Sequence, residues 1–242
     1  MAGESKVTKT FVLVHGVWHG GWCWSRLADQ LRTRGHRVTA PTQTGLGERA
    51  HLLTADITIE TFVEDIVRHL DCEDLKDVIL VGHSFGGIPI TGVADRVPER
   101  IGKLVYLDAI MLSSGETWFD LLPEDMAADR RALAESSSGG LSLPPAPPES
   151  FGVTRPEDAA FLAPRLTPHP FRTFTTALDL RNPVGNGLPA HYIQCTDPPY
   201  RPARVALERA IGFGWPVSQI ATGHDAMVTE PEALADLLEE IA

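Results

Sequence analysis

Val78-Ile79-Leu80-Val81-Gly82-His83-Ser84-Phe85-Gly86 is the stretch that decides the fold. Four aliphatic residues make a run of strand length, Gly-x-Ser-x-Gly follows at once, and residues 87–97 then carry a helical pattern. A serine hydroxyl is a weak nucleophile near neutrality, so a protein that uses one must hold it clear of its neighbours and beside a base. A sharp turn from strand into helix presents it that way. Gly82 and Gly86 permit the turn, because a Cβ at either position would meet neighbouring backbone. The residue after the serine then lies at a helix N-terminus, where its N–H can face a developing oxyanion. Ser84 is therefore the candidate nucleophile and Phe85 N–H a candidate oxyanion donor. A plain glycine turn would explain the two glycines but not the flanks on both sides.

The chain around this turn has 242 residues, enough for one domain that buries roughly 70% of its unfolded surface. Hydrophobic residues make up 43% and charged residues 22%, ordinary values for a soluble globular protein. A formal charge of −11 argues against nucleic acid or an anionic membrane surface as partner, since both need a basic face. The N-terminal residues lack an apolar stretch of signal-peptide type, and no apolar run reaches the length of a membrane span. A cytoplasmic protein is expected. Cys23, Cys72 and Cys195 are odd in number and widely spaced, so they read as free thiols, neither a disulfide framework nor a metal site. No metal or organic cofactor is expected. The oligomeric state stays open, a homodimer included.

Short apolar runs alternate with helical patterns, the signature of a parallel sheet covered on both faces. Strands are expected at residues 10–14, 37–40, 78–81, 103–107, 191–195 and 217–221. Helices are expected at 24–34, 59–70, 86–94, 202–210 and 231–241, with Thr58 or Asp56 capping the second and Thr229 the last. Residues 113–174 break the rhythm: they show no strand pattern, and 136–148 is rich in Ser, Gly and Pro. So long an interruption reads as a cap inserted into a core of residues 1–112 and 175–242. Its Trp118, Leu121 and Leu122, with Trp18 from the first strand's loop, are expected to line an apolar pocket over Ser84.

Ser84 needs a base, and position separates the nine histidines. His224 follows the last expected strand in Ala221-Thr222-Gly223-His224-Asp225, on the sheet edge where Ser84 emerges. His15 reaches the same edge but is followed by glycines that read as a structural turn, and His83 would point away from Ser84. His19, His36, His51, His69, His169 and His191 read as surface or hydrogen-bonded histidines. The acid that orients the base has two candidates on that edge. Asp108 closes one strand and Asp197 another, and both keep the chain order serine, acid, histidine. The glycine-rich loop His15-Gly16-Val17-Trp18-His19-Gly20-Gly21-Trp22 can approach a ligand closely, and makes Val17 N–H the second oxyanion donor.

With these motifs in place, the chain resembles the α/β-hydrolases, in particular the small esterase branch of plant methylesterases and hydroxynitrile lyases. The residues that carry the resemblance are Phe11-Val-Leu-Val-His-Gly-x-x-His-Gly-Gly-Trp22, Gly82-His-Ser-Phe-Gly86 and Gly223-His-Asp225. It implies an α/β-hydrolase fold, a mostly parallel sheet of about six strands with a helical cap, in which Ser84 and His224 are nucleophile and base and Val17 and Phe85 are oxyanion donors. Two departures matter. The lyases have a threonine at the place of Gly16 and a lysine at the place of Asp225, so the resemblance favours ester hydrolysis over cyanohydrin cleavage. In the plant members the acid falls at the place of Pro199, whereas other α/β-hydrolases place it after the strand ending here at Asp108. Asp108 is therefore favoured over Asp197.

The function expected from the sequence is a serine hydrolase, a carboxylesterase acting through an acyl-enzyme on a small hydrophobic or aromatic ester. A lactonase, a C–C hydrolase or a lyase would use the same residues. A small-ligand receptor on the same scaffold is the alternative of a different class.

Overall fold

A computed structural model describes residues 7–242. In chain order the elements are β1 Thr10–Val14, α1 Ser25–Thr33, β2 Arg37–Thr39, α2 Ile59–Cys72, β3 Val78–His83, α3 Gly87–Arg96 and β4 Ile101–Leu107. Then come α4 Glu124–Ser138, β5 Ser142–Leu143, α5 Pro156–Leu162, β6 His169–Pro170 and α6 Arg172–Thr175. The chain ends with β7 Ala190–Cys195, α7 Arg204–Gly212, β8 Val217–Ile220, α8 Ala226–Thr229 and α9 Pro231–Ile241.

Six strands form one parallel sheet in the order β2-β1-β3-β4-β7-β8. Every residue of β3 is buried, as its unbroken apolar run requires of a strand covered on both faces. α2 buries Ile59, Phe62, Val63, Ile66, Val67 and Leu70, one stripe at helical spacing, against α3. α1 and α9 pair on another part of the sheet. This is the α/β-hydrolase fold that the motifs imply.

The sheet order positions the site. The chain runs outward from β1 to β2, returns over β1 to β3, and from there continues the other way to β8. The connections leaving β1 and β3 diverge, which opens a crevice at their C-terminal ends. Residues 15–22 leave β1 there, and Ser84 leaves β3 beside them. Asp108 follows β4 and His224 follows β8 on the same edge.

Most expected elements lie within two residues of their observed bounds, and the departures have causes. β3 runs on to His83 because Gly82 and His83 still pair with Tyr106 and Leu107 of β4. Thr58 caps α2 through a reciprocal bond with Thr61. Thr229 does not cap α9: residues 226–229 form their own turn, and the Thr229 hydroxyl donates to the Asp225 carbonyl. Glu230 takes the cap position instead. Residues 113–174 also hold strand after all, since β5 and β6 pair antiparallel over two residues each. Two residues are too few to show a period. Among the described residues no helix is long and apolar enough to cross a membrane.

Candidate active site

Ser84 sits at φ 54°, in the left-handed region that an L-residue enters only under constraint, at a cost of roughly 1–3 kcal/mol. The glycines around it supply the constraint. A Cβ on Gly82 would lie 2.6 Å from the Gly86 carbonyl oxygen, and one on Gly86 would lie 2.6 Å from that of Val14. The turn is therefore packed directly against the end of β1. Ile110 N–H donates to the Ser84 carbonyl at 2.8 Å and ties the same turn to the segment after β4. Ser84 is only 4% exposed.

His224 is 2% exposed, and its Nδ1–H donates to Asp108 Oδ2 at 2.7 Å. A carboxylate only accepts, so Nδ1 carries a proton. Nε2 is buried and has no partner among the described residues. Asp108 is itself constrained. Its φ is 44°, its N–H donates to Ile193 O at 2.7 Å, and its Oδ1 accepts from Cys195 N–H at 3.3 Å. Ile193 and Cys195, in the C-terminal half of β7, thus aim the carboxylate. Asp197, the other sequence candidate, is exposed, and its carboxylate makes no hydrogen bond or ion pair among the described residues. From below, the His224 carbonyl accepts from His83 Nε2–H at 3.0 Å and from the Cys195 thiol at 3.8 Å.

The loop after β1 closes the other side. His15 is buried and held neutral, its pKa lowered by that burial to about 3; Nδ1–H donates to Gly16 O and Nε2 accepts from Gln43 N–H. It braces the turn, as expected. A Cβ on Gly16 would lie 2.7 Å from Ser84 Cβ, so a threonine here would push on Ser84. Val17 is buried, and its N–H has no acceptor among the described residues. Trp18, at φ 63°, sends its indole N–H to Leu143 O at 3.0 Å, while its backbone N–H donates to His169 Nδ1. It joins this loop to β5 and β6.

His19 was expected to be an ordinary surface or bonded histidine, and it is more than that. Its ring is buried, with Nδ1 2.6 Å from Val17 O and Nε2 3.1 Å from Asp225 Oδ2. Both partners are acceptors, so both nitrogens carry protons and the ring is an imidazolium. Burial opposes that charge, but the Asp225 carboxylate outweighs it and raises the pKa. Asp225 is fully buried. Despite the opposing effect of burial, His19 draws its pKa down to about 2. The other oxygen, Oδ1, lies 3.7 Å from His83 Nε2. The position next to His224 therefore faces the floor of the site and bridges it to the loop that carries Val17.

The roof is aromatic. Trp118 packs on Phe85 at 6.3 Å and on Phe174 at 4.8 Å between centroids, and Phe119 stacks on Phe174. Leu121 and Leu122 are half-buried against the same cluster. His169, which sequence position did not single out, stacks on Phe174 and contacts Phe85. Tyr200 was also missed. Its ring lies on the His224 imidazole at 3.7 Å between centroids and 24° between planes. Its only sequence signal is that it follows Asp197-Pro198-Pro199 on the site's edge of the sheet.

Residues 11–237 match the alpha/beta hydrolase family. The carbendazim hydrolyzing esterase of a Nocardioides species is 39% identical over 94% of this chain and 97% of its own. Methylesterase 10 of Arabidopsis thaliana is 30% identical over 96% of this chain and 91% of its own. Among solved structures, an extracellular alpha/beta-hydrolase from a Paenibacillus species superposes with TM-score 0.85 at 27% identity, covering 97% of this chain and 99% of that one. It is described as structurally and functionally homologous to tobacco salicylic acid binding protein 2.

Proposed function

Because the chain belongs to the alpha/beta hydrolase family and is a hydrolase with esterases among its relatives, we propose that it is a serine carboxylesterase working through an acyl-enzyme. The observation that carries this reading is the buried 2.7 Å bond from His224 to Asp108, on the same edge as the strained Ser84 turn.

Ser84 Oγ attacks the ester carbonyl as His224 Nε2 takes its proton. Asp108 holds the ring in the tautomer that leaves Nε2 free and stabilises the imidazolium that forms. The Val17 and Phe85 N–H groups receive the negative oxygen of the tetrahedral intermediate, each worth roughly 3 kcal/mol of transition-state stabilisation. His224 then protonates the departing alcohol, and water repeats the sequence on the acyl-enzyme. The rings of Trp118, Phe85 and Phe174, with Leu121 and Leu122 beside them, suit a small hydrophobic or aromatic ester.

Two features support hydrolysis over cyanohydrin cleavage. Gly16 has no room for a larger side chain, and Asp225, held anionic by His19, offers no cation to a leaving anion. A fluorophosphonate probe tests the mechanism: it should label Ser84 alone, and aryl esters should give a burst of alcohol. Labelling elsewhere, or none with an intact fold, would favour the receptor reading.

A further inference from the structure

Arg130 is the feature the proposed mechanism leaves unused. It lies on α4, half-buried, with Cζ 5.0 Å from the Trp118 ring centroid. Its buried Nε has no hydrogen-bond partner, and no carboxylate pairs with the guanidinium among the described residues. That is unusual for this chain. Arg26, Arg34, Arg49, Arg100 and Arg209 are half-buried too, and each reaches an Asp or Glu. A buried donor without an acceptor is costly, which is why such groups are nearly always satisfied. Burial lowers the pKa of this arginine, yet a guanidinium stays charged.

Its place borders the site through one ring. Trp118 contacts both Arg130 and Phe85, the residue after the nucleophile. Tyr200 lies on His224 at the same site. Burial pushes the Tyr200 phenol up to about 12, so it stays a neutral donor. The guanidinium lies over the Trp118 ring, and its terminal nitrogens make no hydrogen bond among the described residues.

We infer that Arg130 anchors a carboxylate on the substrate, so that the preferred esters carry a free carboxylate remote from the scissile bond. The planar fork matches a carboxylate in bidentate fashion, and a single cation balances a monoanion. A phosphate dianion would call for a second cation. This inference rests on the esterase reading of Ser84 and His224 and extends it to substrate class.

The test compares monomethyl and dimethyl esters of succinate, glutarate and isophthalate. Wild type should favour the monoester of at least one pair in kcat/KM. Arg130→Gln, and Arg130→Met, which keeps the apolar stem, should lose roughly 10- to 100-fold on that monoester, the worth of a charge-assisted bond, and little on the diester. Arg131→Gln is the control. Arg131 is exposed and lies over Phe119, so this change should leave both substrates alone. Equal losses on mono- and diester, or a diester preference in all three pairs, would overturn the anchor and make Arg130 a packing residue. Binding separates this from a failure of the esterase reading. In Ser84→Ala, calorimetric affinity for the monoester should fall by the same factor when Arg130→Gln is added, and an unchanged affinity would sink the inference whatever the turnover.

Discussion

Ser84, His224 and Asp108 are held by backbone, whereas Trp118, Phe119 and Arg130 are held by the faces of rings. Below, two of the three residues sit at positive φ, and the base and acid meet through a buried bond of 2.7 Å. Above, Trp118 meets Phe174, Phe119 stacks on Phe174, and Arg130 lies 5.0 Å over Trp118. Hydrogen bonds at constrained backbone define direction and lose their value within a fraction of an ångström. Ring contacts tolerate sliding and exchange at small cost. The floor is therefore suited to chemistry and the roof to choice of substrate, and substitutions should separate the two.

The largest separation is expected at the acid. Asp108→Asn should lower kcat by about 10⁴ on p-nitrophenyl acetate, because the amide no longer holds His224 in the productive tautomer. Asp197→Asn, at an exposed position, should stay within about twofold of wild type, since surface changes of this kind usually shift stability by under ~0.5 kcal/mol. Near-normal turnover in the first with collapse in the second would move the acid to β7 and dissolve the floor as described.

The second prediction concerns the His19–Asp225 pair beneath the base. His19→Gln leaves Asp225 charged, buried and without a counter-ion, so unfolding should become easier by about 3–5 kcal/mol. The double variant His19→Gln with Asp225→Asn should recover much of that loss. The pH dependence has a definite sign. His19 has a raised folded pKa, so its contribution is complete below about 6.5 and is lost as pH rises through the raised value. Asp225 has a lowered one, so its contribution is complete above about 3.9. That contribution is lost as pH falls toward the folded value of about 2. Thermal unfolding from pH 4 to pH 10 should show the alkaline loss in wild type and a flatter curve in the double variant. An identical slope in both would mean the imidazolium is absent.

The same contrast decides what could be read from sequence. Gly82, Gly86 and Gly16 announce the floor, since each stands where a Cβ would collide, and such positions leave a mark in the letters. His224 was legible because strand order brings it to the edge of Ser84. Asp108 and Asp197 were not separable by position, as both end strands on that edge. What distinguishes them is the aim given by Ile193 and Cys195, which is tertiary. His19 was passed over because its partner lies 206 positions away. The roof was barely legible at all. β5 and β6 span two residues each, and Tyr200 reaches His224, and Arg130 Trp118, only through the fold.

A third prediction tests how tightly the floor is packed. Gly16→Thr should push on Ser84 through a Cβ only 2.7 Å from that of the nucleophile. A displacement approaching 1 Å costs about 10² in rate, so kcat should fall by that order while KM changes little. If kcat for esters instead stays intact, Gly16 has room for a larger side chain and the floor is not packed as described.

The smallest expected effect lies in the roof, and it tests the division most directly. Trp118→Phe keeps a ring against Phe174 and Phe85 but reduces the face on which Arg130 lies. A cation–π contact at a partly exposed site is worth about 0.5–1 kcal/mol, which corresponds to a two- to fivefold rise in KM. The change touches neither Ser84 nor the His224–Asp108 bond, so kcat for a neutral aryl ester should hold. Steady-state kinetics on neutral and carboxylate-bearing esters would show the KM rise concentrated in the second. A fall in kcat beyond tenfold with KM unchanged would mean that Trp118 acts on Ser84 through Phe85. Roof and floor would then be one mechanical unit, and ring contacts would be positioning the nucleophile as strictly as the hydrogen bonds below it.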